Sequence, residues 1–399
     1  MNLSMLKHSH FSVQKQIYER IAYLGTVSKA ELLEFFSITS SSMTRILEEL
    51  LSQKLIMVSG LGTSTGGRKP ILFQTNPDYG YLLGLDISRL SSSLGLFNLH
   101  LKPLSTVRFE MNRSLTPERL IEQVVSGAHQ MLADHQIAHE QILGMGVGAV
   151  GPLDPAQGMM LQPEYFPSSA WNNVPISRLL EEKLNLPVQL DNGANTALLA
   201  EYWALRNEAC RNMLYVHSGV NIRSSIMTGG QILRGAADTE GAVGQMIIQT
   251  GGQRLRDKGN YGSLETYVSI PSLEERAQLQ LKIGRASILS GIPPEEVTFA
   301  SLVQALEQQD PLITELFIET ATYLGVGLAN MINTVHPEYV ILGGALMNAH
   351  PLVYETAIQV ARNHIYTYPR YNPVFSQGIL RDEGVLTGAA LQVLQSWER

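Results

Sequence analysis

One cysteine, Cys210, stands in a chain of 399 residues. That excludes an internal disulfide framework and fits a reducing compartment. With no His/Asn partner pattern around it, Cys210 reads as a packing residue rather than a nucleophile. Long apolar runs are also scarce: no stretch is read as reaching the roughly 18 residues of a spanning helix. The opening MNLSMLKHSHF lacks the charged-then-apolar pattern of a signal peptide. The expectation is a cytoplasmic protein with no membrane partner.

Positive charge is scarce too, since the formal net charge is −7. It is unevenly placed. Residues 1–76 carry eight Lys/Arg against five Glu, a net of +3, which leaves about −10 for the rest. A small basic segment on an acidic body suits a DNA-binding head attached to a ligand-binding or oligomerising body. The length implies two or three domains.

Residues 11–24 place Val13, Ile17, Ile21 and Leu24 on one helical stripe, and Gly25 breaks it. Ser28 can cap a second helix, SKAELLEFF, that buries Leu32, Leu33 and Phe36. Thr39 can cap a third, 40–54, with Met43, Ile46, Leu47, Leu50 and Leu51 on one face. Its other face carries Ser40, Ser41, Ser42, Thr44 and Arg45. Short hydroxyls and one Arg at a helix N-terminus suit the major groove, where Ser and Thr bond phosphates or base edges and Arg grips guanine. A plain three-helix bundle with a solvated Ser-rich face is the alternative. LIMVSGLGTSTGGRKPILFQTN then reads as two strands, 55–59 and 71–75, around a Gly-rich tip. That tip puts Arg68 and Lys69 on backbone able to lie close to DNA.

Asn76-Pro77 marks a boundary, and beyond it strands and helices alternate, beginning with YLLGLDIS at 81–88. Helices are expected at 116–136 and 174–184, with ILGMGVGAV and VQLD as further strands. The alternation alone gives an α/β class.

The segment RGAADTEGAVGQMIIQTGGQRLRDKGNYGSLE, ending at Glu265, resembles the signature of the ROK family (repressors, open reading frames and kinases). The family pattern is rGa…aGEiGHm…CxCGxxGCLE. The GGR-x-P wing and the order of the body extend this resemblance over essentially the whole chain. It implies an N-terminal winged helix-turn-helix at 1–76 and a two-lobed, actin-like, hexokinase-type body. The first lobe is expected at 77–192, completed by a C-terminal helix at 384–399, and the second at 193–383.

The resemblance also shows what is missing. Family kinases hold sugar with the Glu and His of GEiGH, and that His joins three Cys in a zinc site. Here those positions read Ala242 and Gln245, and Arg256, Lys258 and Ser263. None supplies a thiolate, so no zinc is expected. The DxGGT phosphate loop reads Asp86-Ile87-Ser88-Arg89-Leu90. The GTGIGGGI loop reads Gly219-Val220-Asn221-Ile222-Arg223-Ser224-Ser225-Ile226. Added side chains take the space of a phosphate that needs bare N–H groups. The kinase base, the Asp of NDAN, is Gly193. No catalytic residue, metal or cofactor is therefore expected. Asn192 and Glu265 survive among the sugar contacts, Gln245 can still bond a hydroxyl, and Arg223 can bind an anion or serve as a surface residue. The reading is a repressor of carbohydrate-related genes that binds double-stranded operator DNA as a homodimer or dimer of dimers and senses a sugar or sugar-derived effector. A ligand-independent scaffold controlled by a protein partner, an activator and an active sugar kinase stay open.

Overall fold

A computed structural model of the chain describes residues 13–63, 69–207, 209–237, 241–255 and 259–398. The expected wing residue Arg68 and the motif residues Arg256 and Lys258 lie outside the described residues.

The first unit contains α1 (Val13–Leu24), β1 (Val27–Ser28), α2 (Lys29–Phe35), α3 (Ser40–Ser52), β2 (Ile56–Leu61) and β3 (Ile71–Thr75). Spacing of three and four residues puts Ile17 and Ile21 of α1, and Met43, Ile46, Leu47 and Leu50 of α3, into one core with Leu32 and Phe73. α2 starts at a capping box: Ser28 Oγ accepts from Glu31 N at 3.3 Å and the Glu31 carboxylate accepts from Ser28 N at 2.7 Å. β2 and β3 form the antiparallel hairpin, with β2 running to Leu61 rather than 59. The sequence reading missed β1, which pairs Val27 with Phe73 and makes a three-stranded sheet of order β1-β3-β2.

The body has two five-stranded sheets. The first, in order β10-β7-β4-β5-β6, is built from β4 (Tyr81–Ile87), β5 (Ser91–Asn98), β6 (Pro103–Glu110), β7 (Ile142–Ala149) and β10 (Val188–Asn192). α4 (Pro117–Asp134) and α5 (Ile176–Leu184) pack against it, and β8 (Leu153–Asp154) and β9 (Met159–Met160) form a short ribbon. The second sheet, in order β13-β12-β11-β14-β15, combines β11 (Met213–Ser218), β12 (Ile222–Thr228), β13 (Gln231–Ile232), β14 (Tyr339–Gly343) and β15 (Val374–Ser376). Around it lie α7 (Leu264–Tyr267), α8 (Ile270–Lys282), α9 (Phe299–Glu307), α10 (Pro311–Val335), α11 (Ala345–Asn348) and α12 (Pro351–His364).

α10 corrects one expectation. By length and composition it is apolar enough to cross a bilayer, although Glu315 and Glu319 interrupt the run. Its apolar face instead fills the second core, where Leu316, Phe317, Leu324, Leu328 and Ile332 are buried.

Two helices join the sheets. α13 (Gly384–Glu398) lies on β4 and β7, so near that a methyl at Gly146 would sit 1.7 Å from the Ala389 carbonyl oxygen. α6 (Gly193–Leu205) packs against α13, and its Ala194, Ala197 and Leu198 meet Met213, Tyr215 and Met227 of the second sheet.

Candidate DNA interface and interlobe cleft

At the start of α3, Thr39 caps the helix by accepting from Ser42 N at 3.2 Å, and its hydroxyl lies 3.0 Å from Ser41 Oγ and 2.9 Å from Ser42 Oγ. Thr44 donates to Ser40 O at 3.0 Å and accepts from Lys29 Nζ. Ser40, Ser41 and Arg45 are exposed, whereas Ser42 and Thr44 are half-buried. The hydroxyls expected to face DNA thus divide into an exposed pair and a pair engaged inside the helix start. Lys29, which the sequence reading did not single out, is brought from α2 to this end of α3. Lys69 is exposed at the base of the wing.

This head is clasped to the body at the far end of α6. Arg206, the C-cap of α6, donates to the carbonyls of Ala22 and Tyr23 in the last turn of α1, where intrahelical partners are lacking. Its guanidinium carbon lies 4.2 Å from the Trp203 ring centroid and 5.6 Å from that of Tyr23, and the two rings meet edge to face.

The near end of α6 opens at the cleft, in the sequence Asp191-Asn192-Gly193. Asn192 Oδ1 caps α6 by accepting from Asn195 N at 2.8 Å. Asp191 is buried and cannot substitute for the absent base. It accepts from Asn192 N and Asn195 Nδ2, and Arg234 grips both its oxygens at 3.3 and 2.5 Å. Asn195 Oδ1 in turn accepts from Ser225 Oγ at 2.7 Å.

Gly193 faces a cation. A Cβ built there would lie 3.4 Å from Arg223 Nη1, with Val385 methyls at 3.6 and 3.7 Å. Arg223 is 6% exposed, and its Nε is buried without a hydrogen-bond partner. Where the kinase pattern has a proton acceptor, this chain has a guanidinium. Nearby, burial pushes the Asp86 carboxyl up to about 7 against the pull of Arg223 and Arg108. Burial, with Arg223 and Arg89 adding to it, holds the His217 pKa well below its ordinary value, so that ring is neutral.

The two degenerate phosphate loops are tied together. Buried Arg89 donates Nη1 to Asn221 Oδ1 at 2.9 Å and Nε to Glu164 O at 2.7 Å. The turn at Gly343-Gly344 keeps its close approach: Gly344 has φ +99°, and a Cβ there would be 2.3 Å from Ser218 O.

Gln245 and Glu265, expected to meet an effector, bond each other instead at 3.0 Å. Gln245 also accepts from Asn260 N at 2.9 Å, fastening the loop that carries zinc ligands in the family pattern. The gap these residues line is about 10 Å³, room for one water at most. Among the described residues no group of three His, Cys, Asp or Glu is placed to hold a metal. A cavity of about 790 Å³ lies instead beside Asp154, Asp191, Asn192, Asn195, Ser224 and Arg234, with apolar walls from Leu153, Leu161, Ile226 and Leu233. Of the four residues expected to contact an effector, only Asn192 borders it.

A winged-helix head on a two-lobed, sugar-kinase-type body whose base position is empty defines a class of protein. The comparisons name its family: the ROK family profile matches residues 82–396, so the chain belongs to the ROK family. The xylose repressor of Caldicellulosiruptor bescii is 26% identical over 369 residues, covering 92% of each chain. The DNA-binding transcriptional dual regulator NagC of Escherichia coli is 24% identical, covering 84% of this chain and 80% of its own. Among solved structures, a ROK family transcriptional regulator described as a homolog of the E. coli MLC protein superposes with a TM-score of 0.78 at 21% identity, over 96% of both chains. The ROK hexokinase of Thermus thermophilus gives 0.64 at 26% identity, over 79% of this chain and 98% of its own.

Proposed function

We propose that this protein is a DNA-binding transcriptional regulator, a repressor of carbohydrate-related genes, with a catalytically inactive kinase-like body. The observation that carries the reading is the guanidinium of Arg223 at the point where a kinase needs a carboxylate, in a chain that also bears a winged-helix head. Losing a general base costs about 10²–10⁴ in rate, before the loss of a phosphate site closed by the Arg89–Asn221 bond is counted. Relatives named as repressors match over nine-tenths of the chain, head included, whereas the hexokinase matches a stretch the size of the body. The division into a head at 1–76 and lobes at 77–192 and 193–383 accords with the separate cores, and α13 serves the first lobe.

In this reading the head docks α3 into the major groove through Ser40, Ser41 and Arg45, Lys29 and Lys69 hold phosphates, and a dimer reads two half-sites. The cavity between the lobes receives a sugar-derived effector. Selection from a random DNA pool with the full chain tests this: a sequence-selective site is expected, and loss of residues 1–76 abolishes binding. Equal binding without those residues, or hexose-dependent ATP turnover by the purified protein, refutes it.

A further inference from the structure

We propose that Arg206 is a positioning residue for DNA recognition, which fixes the head to the far end of α6 and thereby selects the spacing between operator half-sites. The inference rests on the reading of the protein as a regulator that binds two half-sites. It names a residue outside the DNA interface that decides which pairs of half-sites are bound.

The head is one packed unit. Ile17, Tyr18 and Ile21 of α1 are buried in the same core as Met43, Ile46, Leu47 and Leu50 of α3, so turning α1 turns the recognition helix with it. The chain passes from the head to the body between β3 and β4, through residues 76–80. A first set of contacts lies at that crossing. His100 Nε2 is 2.9 Å from Thr75 O, and Leu99 N donates to Pro77 O at 3.2 Å. Tyr79 packs against the head core and also against the core beneath α13. Attachment at one place leaves a rigid unit able to swivel about it.

The clasp supplies the second place. Arg206 Nη1 donates to Ala22 O at 3.1 Å and to Tyr23 O, at the opposite end of the head sequence from the crossing. A planar guanidinium holds direction as well as distance. Trp203 of the body and Tyr23 of the head both present their rings to that cation. The base of the clasp is itself fixed, because Arg206 is the left-handed C-cap of α6, with φ 50°. α6 in turn is packed between α13 and the second sheet.

Spacing is what a head mounted in this way can measure. One base pair added between two half-sites moves one of them by about 3.4 Å along the duplex and turns it by about 35°. A head held at two places follows that displacement only by breaking the clasp, whereas a head held at the crossing alone swivels to meet it. The duplex resists the twist and bend that would otherwise compensate.

The test uses full-length protein and the half-site recovered by selection from random DNA. That half-site is presented alone and as inverted repeats whose spacer grows one base pair at a time over a full turn. Wild-type protein is expected to bind one spacing at least about ten-fold more tightly than spacings two or three base pairs away. Arg206→Ala is expected to shrink that ratio to about three-fold or less while its affinity for the isolated half-site stays within about two-fold of wild type. Arg206 is exposed, so the variant is expected to fold, and the isolated half-site reports that its head is intact. A wild-type profile indifferent to spacing, a profile unchanged in Arg206→Ala, or loss of half-site binding in that variant overturns the proposal. Wild-type protein that binds no half-site refutes the regulator reading itself, whereas selective binding without a spacing preference refutes this inference alone.

Discussion

Gly193→Asp restores the carboxylate of the kinase motif, and the structure sets out what that carboxylate meets. The new Cβ finds ordinary contacts with Val385 and stands 3.4 Å from Arg223 Nη1, so the backbone need not move. Gly193 is also the first residue of α6 and is not among the positive-φ glycines, so a side chain is tolerated there. A carboxylate about 4 Å from a guanidinium gains about 4 kcal/mol at an effective dielectric of 20, largely offset by its own desolvation. The α6 dipole adds about 0.3–1 kcal/mol and the stiffer unfolded chain about 0.4–1 kcal/mol. A net stabilisation of about 1–2 kcal/mol follows, seen as a rise of a few degrees in melting temperature. The same ion pair disables the residue as a base, because an adjacent guanidinium lowers its pKa and its proton affinity. The γ-phosphate would still lack a site, since Arg89 and Asn221 join the two loops. Thermal melts and a coupled ATP assay with hexoses measure both halves. Sugar-dependent ATP hydrolysis above wild type, or a melting temperature lowered by several degrees, would show the reasoning to be wrong.

Three further outcomes are expected. Arg45→Ala should cost about 1–3 kcal/mol of operator binding and relax base preference, whereas Lys69→Ala should weaken all sequences alike and reduce the salt slope by about one, as anisotropy titrations would show. Asp86 has a folded pKa raised from 3.8 to about 7, so its contribution to stability is present below pH 4 and lost as pH rises to 7. Asp86→Asn removes that loss: its melting temperature relative to wild type should climb between pH 4 and 7 and level off above, with an upper bound of about 4 kcal/mol, and a flat difference contradicts this. Arg206→Ala breaks two bonds to α1 and the stack on Trp203, at an exposed site worth about 1 kcal/mol. Limited proteolysis near residue 76 should quicken in this variant, and an unchanged rate would mean the clasp does not hold the head.

The head was readable because its signals are local. Helical stripes, the Ser28 and Thr39 caps and the Gly-rich break all lie within a few residues of what they determine. β1 escaped because two residues carry no period, and Val27 becomes a strand only by pairing with Phe73. In the body, single residues at motif positions revealed what was absent, but not what had come in its place. That Arg223 faces Gly193 depends on β12 packing beside α6, thirty residues along the chain. The grip of Arg234 on Asp191 spans 43 residues, and that of Arg206 on Tyr23 spans 183. Gln245 was read as a hydroxyl partner because its chemistry permits it. The structure uses it as glue for the loop at Asn260 because no metal-ligand set is present there among the described residues.

A cleft that has merely lost its chemistry should be satisfied internally, because each polar group left without a substrate costs free energy until something bonds it. Most of this cleft fits that expectation. Arg89 bridges the two former phosphate loops, Gln245 and Glu265 bond each other, and Asp191 is taken by Arg234. Arg89 and Gln245 are side chains that the family pattern lacks at these positions. Arg223 breaks the rule: it enters at a position where the family pattern has glycine, it is buried, and its Nε bonds nothing. Glycine or serine there, as at the neighbouring Ser224 and Ser225, would leave no charge to compensate. The carboxyl that feels its charge is Asp86, which burial pushes up to about 7 against the pull of Arg223, so the chain supplies an opposing charge of its own as that group ionises.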